Sequence, residues 1–310
     1  MTYAAGQVIL DAEYNGFATG VNDLWGVGTS DKGYGQTNTI SAVSPSVTIT
    51  ATQWADLIAR QKSLADHQGT TITALTAPVA TNTIAIFAAM ASNNTTVTTN
   101  RLNVNGYGTQ ATNQARGVGV WFTNTIHESH YTFAGGDEAR YFFNCGGRIR
   151  ISYAKTSATS SAKNTQWNTL ASDCGTYLIN AQSSGKTGGA GSPTTNDTNK
   201  GYYDLTTGYT TLFKQLEGTT PYTANYIQVE GKVSAAHVDG RGNNGATITI
   251  KVTWQDDAAD SVGFAKNIYN VLDQVDGNVD TNFDLEPPNT TYITNQWGTP
   301  TYGNDTNTQT

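Results

Sequence analysis

Apolar positions recur at helical spacing most clearly between residues 52 and 66. Trp54, Leu57, Ile58, Leu64 and Ala65 fall on one face there. Thr50 or Thr52 can cap the start, and Gly69 is a natural residue for the end. A shorter Ala-rich apolar run at 84–91 predicts a second helix, between Thr/Asn-rich flanks at 70–83 and 92–100. Upstream, the chain to about Ser46 is dense in Gly and Asn. NGF at 15–17 and GYGQ at 33–36 read as turns between short extended pieces.

From about Gly117 the period changes from 3.6 to 2. Val118, Val120 and Phe122 alternate with Gly119 and Trp121, and Tyr131-Thr132-Phe133 follows. Arg148-Ile149-Arg150-Ile151-Ser152-Tyr153 alternates charged with apolar, as a strand with one wet face does. Ile149 and Ile151 then face a core, while Arg148 and Arg150 face solvent or a partner subunit. The stretch 164–180 reads as helical and 183–201 as a loop almost free of apolar side chains. Strands are predicted near 202–206, 209–216, 225–235 and 246–254, with Asn243-Asn244-Gly245 as the turn between the last two. No 20–50-residue repeat is visible, which excludes a solenoid or propeller.

The expected fold is therefore α+β and β-rich, an N-terminal extended and helical region followed by a β-sandwich-like body. Its parts are an N-terminal attachment region with one helix (1–75), a helical, Thr/Asn-rich connector (76–116), the β-rich body (117–255) and an irregular, Asp-, Asn- and Pro-rich C-terminal extension (256–310).

Composition narrows the function. Only 13% of the 310 residues are charged, and Thr, Asn, Ser, Gln and Gly supply the polar surface. A free monomer of this kind would be poorly soluble, whereas an assembly covers such a surface. With 16 Tyr, 9 Phe and 6 Trp, a monomer would also have to expose many aromatics. Net charge is −7 with no Lys/Arg run, which argues against nucleic-acid binding. No stretch is apolar enough for a membrane span, and the start lacks a signal-peptide pattern, so the chain is expected in a reducing cytosol unless a particle carries it out. Cys145 and Cys174 have no CxxC partner and read as two free buried thiols.

Four motifs invite chemistry, and none fits it well. His127 and His130 are three apart on a predicted strand, so their rings point to opposite faces unless a turn intervenes. Surface or interface histidines are the simpler reading. Gly185-Lys186-Thr187 resembles the end of a P-loop, but Asn180 stands where the motif needs its first glycine. Asp273, Asp276, Gly277, Asn278 and Asp280 are oxygen-rich, as calcium requires. The twelfth position from Asp273 is Asp284, where an EF-hand loop needs a bidentate Glu. Asp256 and Asp257, with Asp260, follow a strand, and adjacent acids on a strand point apart, so strand termination is the expected role rather than a glycosidase pair. The sequence thus offers no catalytic, cofactor-binding or metal-ligating residue, and the expectation is no enzyme and no cofactor.

Three segments resemble virion structural proteins of tailed bacteriophages, including phages of cyanobacteria. They are VILDAEYNGF through LWGVGTSDKGYGQ with the helix starting ITATQWADLI, then RYFFNCGGRIRISY followed by SSAKNTQWNTLASDCGTYLI, and last the pair NYIQVEGKVS and ATITIKVTWQDD. The middle segment is the most specific of the three. The resemblance implies a non-catalytic part of the tail, baseplate or fibre, working through self-assembly in the virion after assembly in the host cytoplasm. It implies a homo-oligomer, a trimer ranked ahead of a hexamer by analogy, and other virion proteins as partners. The alternatives are a host-receptor or glycan-binding fibre protein, or a neck or head-fibre component.

Overall fold

The structure, a computed structural model, describes residues 10–79, 86–104, 106–109, 111–117, 119–156, 161–236, 245–258 and 275–309. It is an α+β fold in which helices precede a strand-rich body.

Three helices form the N-terminal layer: α1 (Asp11–Trp25), α2 (Ala51–His67) and α3 (Phe87–Thr99). Thr50 caps α2 by accepting from the Gln53 amide, and Gln53 returns the bond to Thr50, a reciprocal capping box. The NGF segment expected as a turn lies inside α1. Tyr14, Phe17, Ala18, Val21, Leu24 and Trp25 recur at helical spacing there and are buried. Gly20 is tolerated because α3 crosses close by: a Cβ on Gly20 would stand 3.1 Å from the Asn94 amide. Edge-to-face ring pairs join the layer, Tyr14–Trp54 at 5.2 Å and Phe17–Phe87 at 4.7 Å. α3 also extends through the Thr/Asn-rich flank expected to bound it, with Asn93 and Val97 buried.

Two antiparallel sheets make the body. The first has the order β1 (Ala111–Gly117), β12 (Asn278–Glu286), β4 (Arg148–Thr156), β5 (Thr176–Ile179), β6 (Ser184–Thr187). The second has the order β13 (Thr301–Gln309), β3 (Asn124–Thr132), β10 (Thr247–Gln255), β9 (Tyr226–Val233), β8 (Thr210–Leu216), β7 (Thr195–Asn196). A small ribbon pairs β2 (Val120–Trp121) with β11 (Val275–Asp276). Helices α4 (Gly136–Asn144) and α5 (Ala162–Cys174) complete the described elements.

The sheets face each other through Tyr153, which stacks on Phe213 at 6.4 Å and meets Trp254 edge-on at 6.2 Å. Ile149 and Ile151 are fully buried, as the alternation of β4 predicts. Arg148 and Arg150 point the other way and pair with Glu286 and Asp284 of β12.

The C-terminal stretch expected to be irregular supplies β12, the strand between β1 and β4, and β13. β12 alternates in chemistry though not in burial. Val279, Thr281, Phe283 and Leu285 are buried on one face, and on the other Asp280 and Asp284, also buried, and half-buried Glu286 meet arginines. Asp and Asn disfavour strands by local propensity, and here cross-strand partners override that. Three smaller expectations also change. Residues 202–204 form a 3-10 turn rather than a strand, the loop 183–201 contains β6 and β7, and the helix expected over 164–180 ends at Cys174 and gives way to β5. On β2 the buried residue is Trp121, while Val120 and Phe122 are 42% and 57% exposed; Val118 lies outside the described residues.

The helical layer meets the body through the loop 27–36. Arg140 of α4, 4% exposed, donates to the Val27 carbonyl at 2.7 Å and to the Lys32 carbonyl, and Asn144 donates to the Gly33 carbonyl at 3.0 Å. Gly33 has φ +92°, and a Cβ there would overlap the Val27 carbonyl oxygen at 2.1 Å. Replacing Arg140 by Met should strip two carbonyls of their donor and cost about 3 kcal/mol. The check is the urea midpoint, which should fall with little change in slope.

Candidate functional site

The residues singled out in the sequence are dispersed. His127 lies in the core between the sheets rather than at a surface or interface, while His130 is on the opposite face of β3. The His127 ring contacts the Thr281 hydroxyl through Nδ1 at 2.9 Å, and Trp254 donates to the same hydroxyl at 3.1 Å. Burial holds the His127 pKa down at about 4, so the ring is neutral at pH 7. Lys186 sits on β6 and donates to the Gly191 carbonyl, not to an open phosphate loop. Asp276 is bonded to Asn164, and Asp280 pairs with Arg116 at 2.6 Å, so these two acids do not converge. Asp273 and Asp260 lie outside the described residues. Among the described residues no three His, Cys, Asp or Glu side chains are grouped to hold a metal ion. Cys145 and Cys174 are both buried and unbonded to each other. No described helix is long and apolar enough to cross a membrane.

Asp256, like His127, lies in an unexpected setting. It is not a solvated strand terminator. Its carboxylate is 2.6 Å from the Lys163 ammonium, and both side chains are 2% exposed or less. Asp257 turns outward, as the alternation requires.

Of three surface clefts among the described residues, one of about 510 Å³ lies between α2 and residues 70–75, and the other two are more polar. The first of these two, of about 550 Å³, lies between α2 and the segment 38–41, with Asn38, Ser41, Gln53, Asp56 and Arg60 on its walls. Arg60 lies flat over the Trp25 ring, 4.2 Å from its centre. The second, of about 470 Å³, is lined by Asn103, Asn180, Gln182, Ser183, Thr198 and Asn199. Both offer amides and hydroxyls. The first also has Tyr14 in its lining, but neither has a tryptophan there, and each of the six tryptophans is 2% exposed or less. The expected exposure of many aromatics is thus corrected: the large exposed rings are Tyr107, Phe122, Tyr292 and Tyr302.

The remaining feature is an edge. β13 pairs with β3 on one side and ends its sheet on the other. Its register brings Gln309 opposite Thr125, so its last residues run beside the segment leading out of exposed Val120 and Phe122. Among the described residues this edge has no hydrogen-bonded strand, although β1 of the first sheet packs alongside it, and the exposed pair Val120 and Phe122 lies just before the start of β3. Sequence alternation suggested a strand around Val120, but its exposed face appears only once Trp121 is seen packed on Trp167 at 5.0 Å.

These features define a two-sheet α+β body whose second sheet ends, among the described residues, at β13. Comparison with protein families, with curated proteins and with solved structures gives no match to this chain.

Proposed function

We propose that this chain is a non-catalytic structural component of a tailed phage particle, in its tail, baseplate or fibre, and that it works by self-assembly. The observation that carries the assembly reading is that β13 ends its sheet among the described residues, with exposed Val120 and Phe122 just before its neighbour β3. A strand that ends its sheet, as β13 does among the described residues, is a template for another strand, although β1 packs alongside it. The bulge between Asn304 and Thr306 limits the regular part of that edge to its two ends, one of which is the end beside Phe122. The phage assignment is supported by the three segments quoted above. Two of them, containing the 27–36 loop and α4, pack directly on each other through Arg140 and Asn144. A homotrimer is the arrangement put forward, with other particle proteins as further partners and the virion as its location.

A receptor-binding or glycan-binding role is the second reading. The exposed tyrosines Tyr107, Tyr292 and Tyr302 favour it. The buried tryptophans leave it no larger stacking platform.

Sedimentation over a wide concentration range tests the assembly reading. The wild type should associate, and Phe122→Asp should move it toward monomer with an unchanged circular dichroism spectrum. A wild type that stays monomeric at high concentration would defeat it. Electron microscopy of particles carrying a labelled copy tests the address. Label on no part of the particle would defeat the virion assignment.

A further inference from the structure

The Lys163–Asp256 pair is built for more than an ion pair. Lys163 Nζ is 2.6 Å from Asp256 Oδ2, with the side chains 2% and 1% exposed. Removing two charges from water costs several kcal/mol per ion, and well-directed hydrogen bonds normally offset this. Here neither Asp256 oxygen has a well-directed hydrogen bond. Lys163, Asn225 and the Ala258 amide lie close enough to oppose the rise in pKa that burial imposes on Asp256, and burial still wins.

The position of Lys163 points the same way. Ser161 caps α5, so Lys163 lies in the first helical turn, where the helix dipole disfavours a cation. The surroundings are aromatic. Trp167 is one turn further along the same helix face, and Trp254 precedes Asp256 by two residues on the same strand face. Their rings are 6.1 Å apart, and Trp121 stands 5.0 Å from Trp167.

We propose that Lys163 and Asp256 condense spontaneously to an intramolecular amide. The ammonium first hands a proton to the carboxylate, giving a neutral amine and a neutral acid. The amine lone pair attacks the Asp256 carboxyl carbon and forms the C–N bond. The C–O bond then breaks, and that oxygen leaves as water with two of the three original ammonium protons. The balance is –NH3⁺ plus –COO⁻ giving –NH–CO– plus H2O, with no oxidant or cofactor. Carbon lies one C–O bond beyond the oxygen, so reaching the near-attack range of about 3–3.5 Å needs only a small rotation. Held groups react with effective molarities of about 10⁵–10⁸ M, and the dry site favours loss of water. The product is neutral, which relieves both the buried charges and the unfavourable dipole contact.

The bond would staple the start of α5, which packs on the first sheet, to the end of β10 in the second. This inference stands apart from the phage reading, since it concerns only this side-chain pair. Mass spectrometry on the purified full chain decides it. The expected intact mass is one water below the sequence mass, and digestion should yield a branched peptide joining the Lys163 and Asp256 segments. Lys163→Arg, which keeps the charge but cannot form this amide, should restore the full mass. Aspartimide at a step such as Asp276-Gly277 also loses one water but gives no branched peptide. A wild type whose Lys163 and Asp256 peptides are recovered separately and unlinked overturns the proposal.

Discussion

Ile149→Asp is expected to unfold the protein. Ile149 is fully buried on β4, and its cross-strand neighbours Leu285 and Ile179 are fully buried too. Losing the side chain alone costs about 2–5 kcal/mol. The carboxylate adds the penalty of a buried charge with no cation beside it, since Arg148 and Arg150 point outward to β12 acids and Lys155, on the same face, lies six residues along the strand. The total is of the order of the whole stability of a domain, about 5–15 kcal/mol. Ser152→Ala, on the outward face of the same strand, should change stability by about 0.5 kcal/mol or less. Thermal melts followed by circular dichroism separate the two. A soluble Ile149→Asp protein with a wild-type melt would show that β4 does not face the core.

Acid should destabilise the protein between pH 6.5 and 4, through two buried histidines. His67 donates through Nε2 to the Cys145 carbonyl at 3.1 Å, which fixes a neutral tautomer, and its ring packs edge-on to Tyr34. Burial holds its pKa down at about 4, as it does for His127. Near His127 only Asp280 pulls the other way. In the unfolded chain both rings protonate near the ordinary value of 6.5. Between 6.5 and 4 the unfolded state therefore binds protons that the folded state refuses. Stability is complete above 6.5 and falls as the pH drops toward 4. At about 1.4 kcal/mol per pH unit, each ring contributes a loss of roughly 3 kcal/mol across the window. Asp256 acts in the opposite sense while it is a free acid, because burial raises its pKa, and it ceases to titrate once condensed with Lys163. The urea midpoint should fall steadily from pH 7 to pH 4.5, and His127→Gln should flatten that slope. A midpoint unchanged over this range would remove the argument.

Local pattern by itself determined much of the framework. α2 was legible because one apolar stripe, a capping threonine and a terminal glycine agree, and β4, β9 and β10 because each alternates cleanly with a period of 2. The opposite facing of His127 and His130, and of Asp256 and Asp257, also followed from that period. α1 was hidden by two glycines, and Gly20 is acceptable only because Asn94 of another helix lies against it. β12 was hidden by its acids, which lie quietly in a sheet only because Arg116, Arg148 and Arg150 reach them from neighbouring strands. The Lys163–Asp256 contact, the burial of His127 and the pairing of β13 with β3 belong to tertiary structure alone. Periodicity reports which way a side chain points within its own element. Which residue from a distant part of the chain stands opposite, and whether water reaches between them, is settled only when the sheets close on each other.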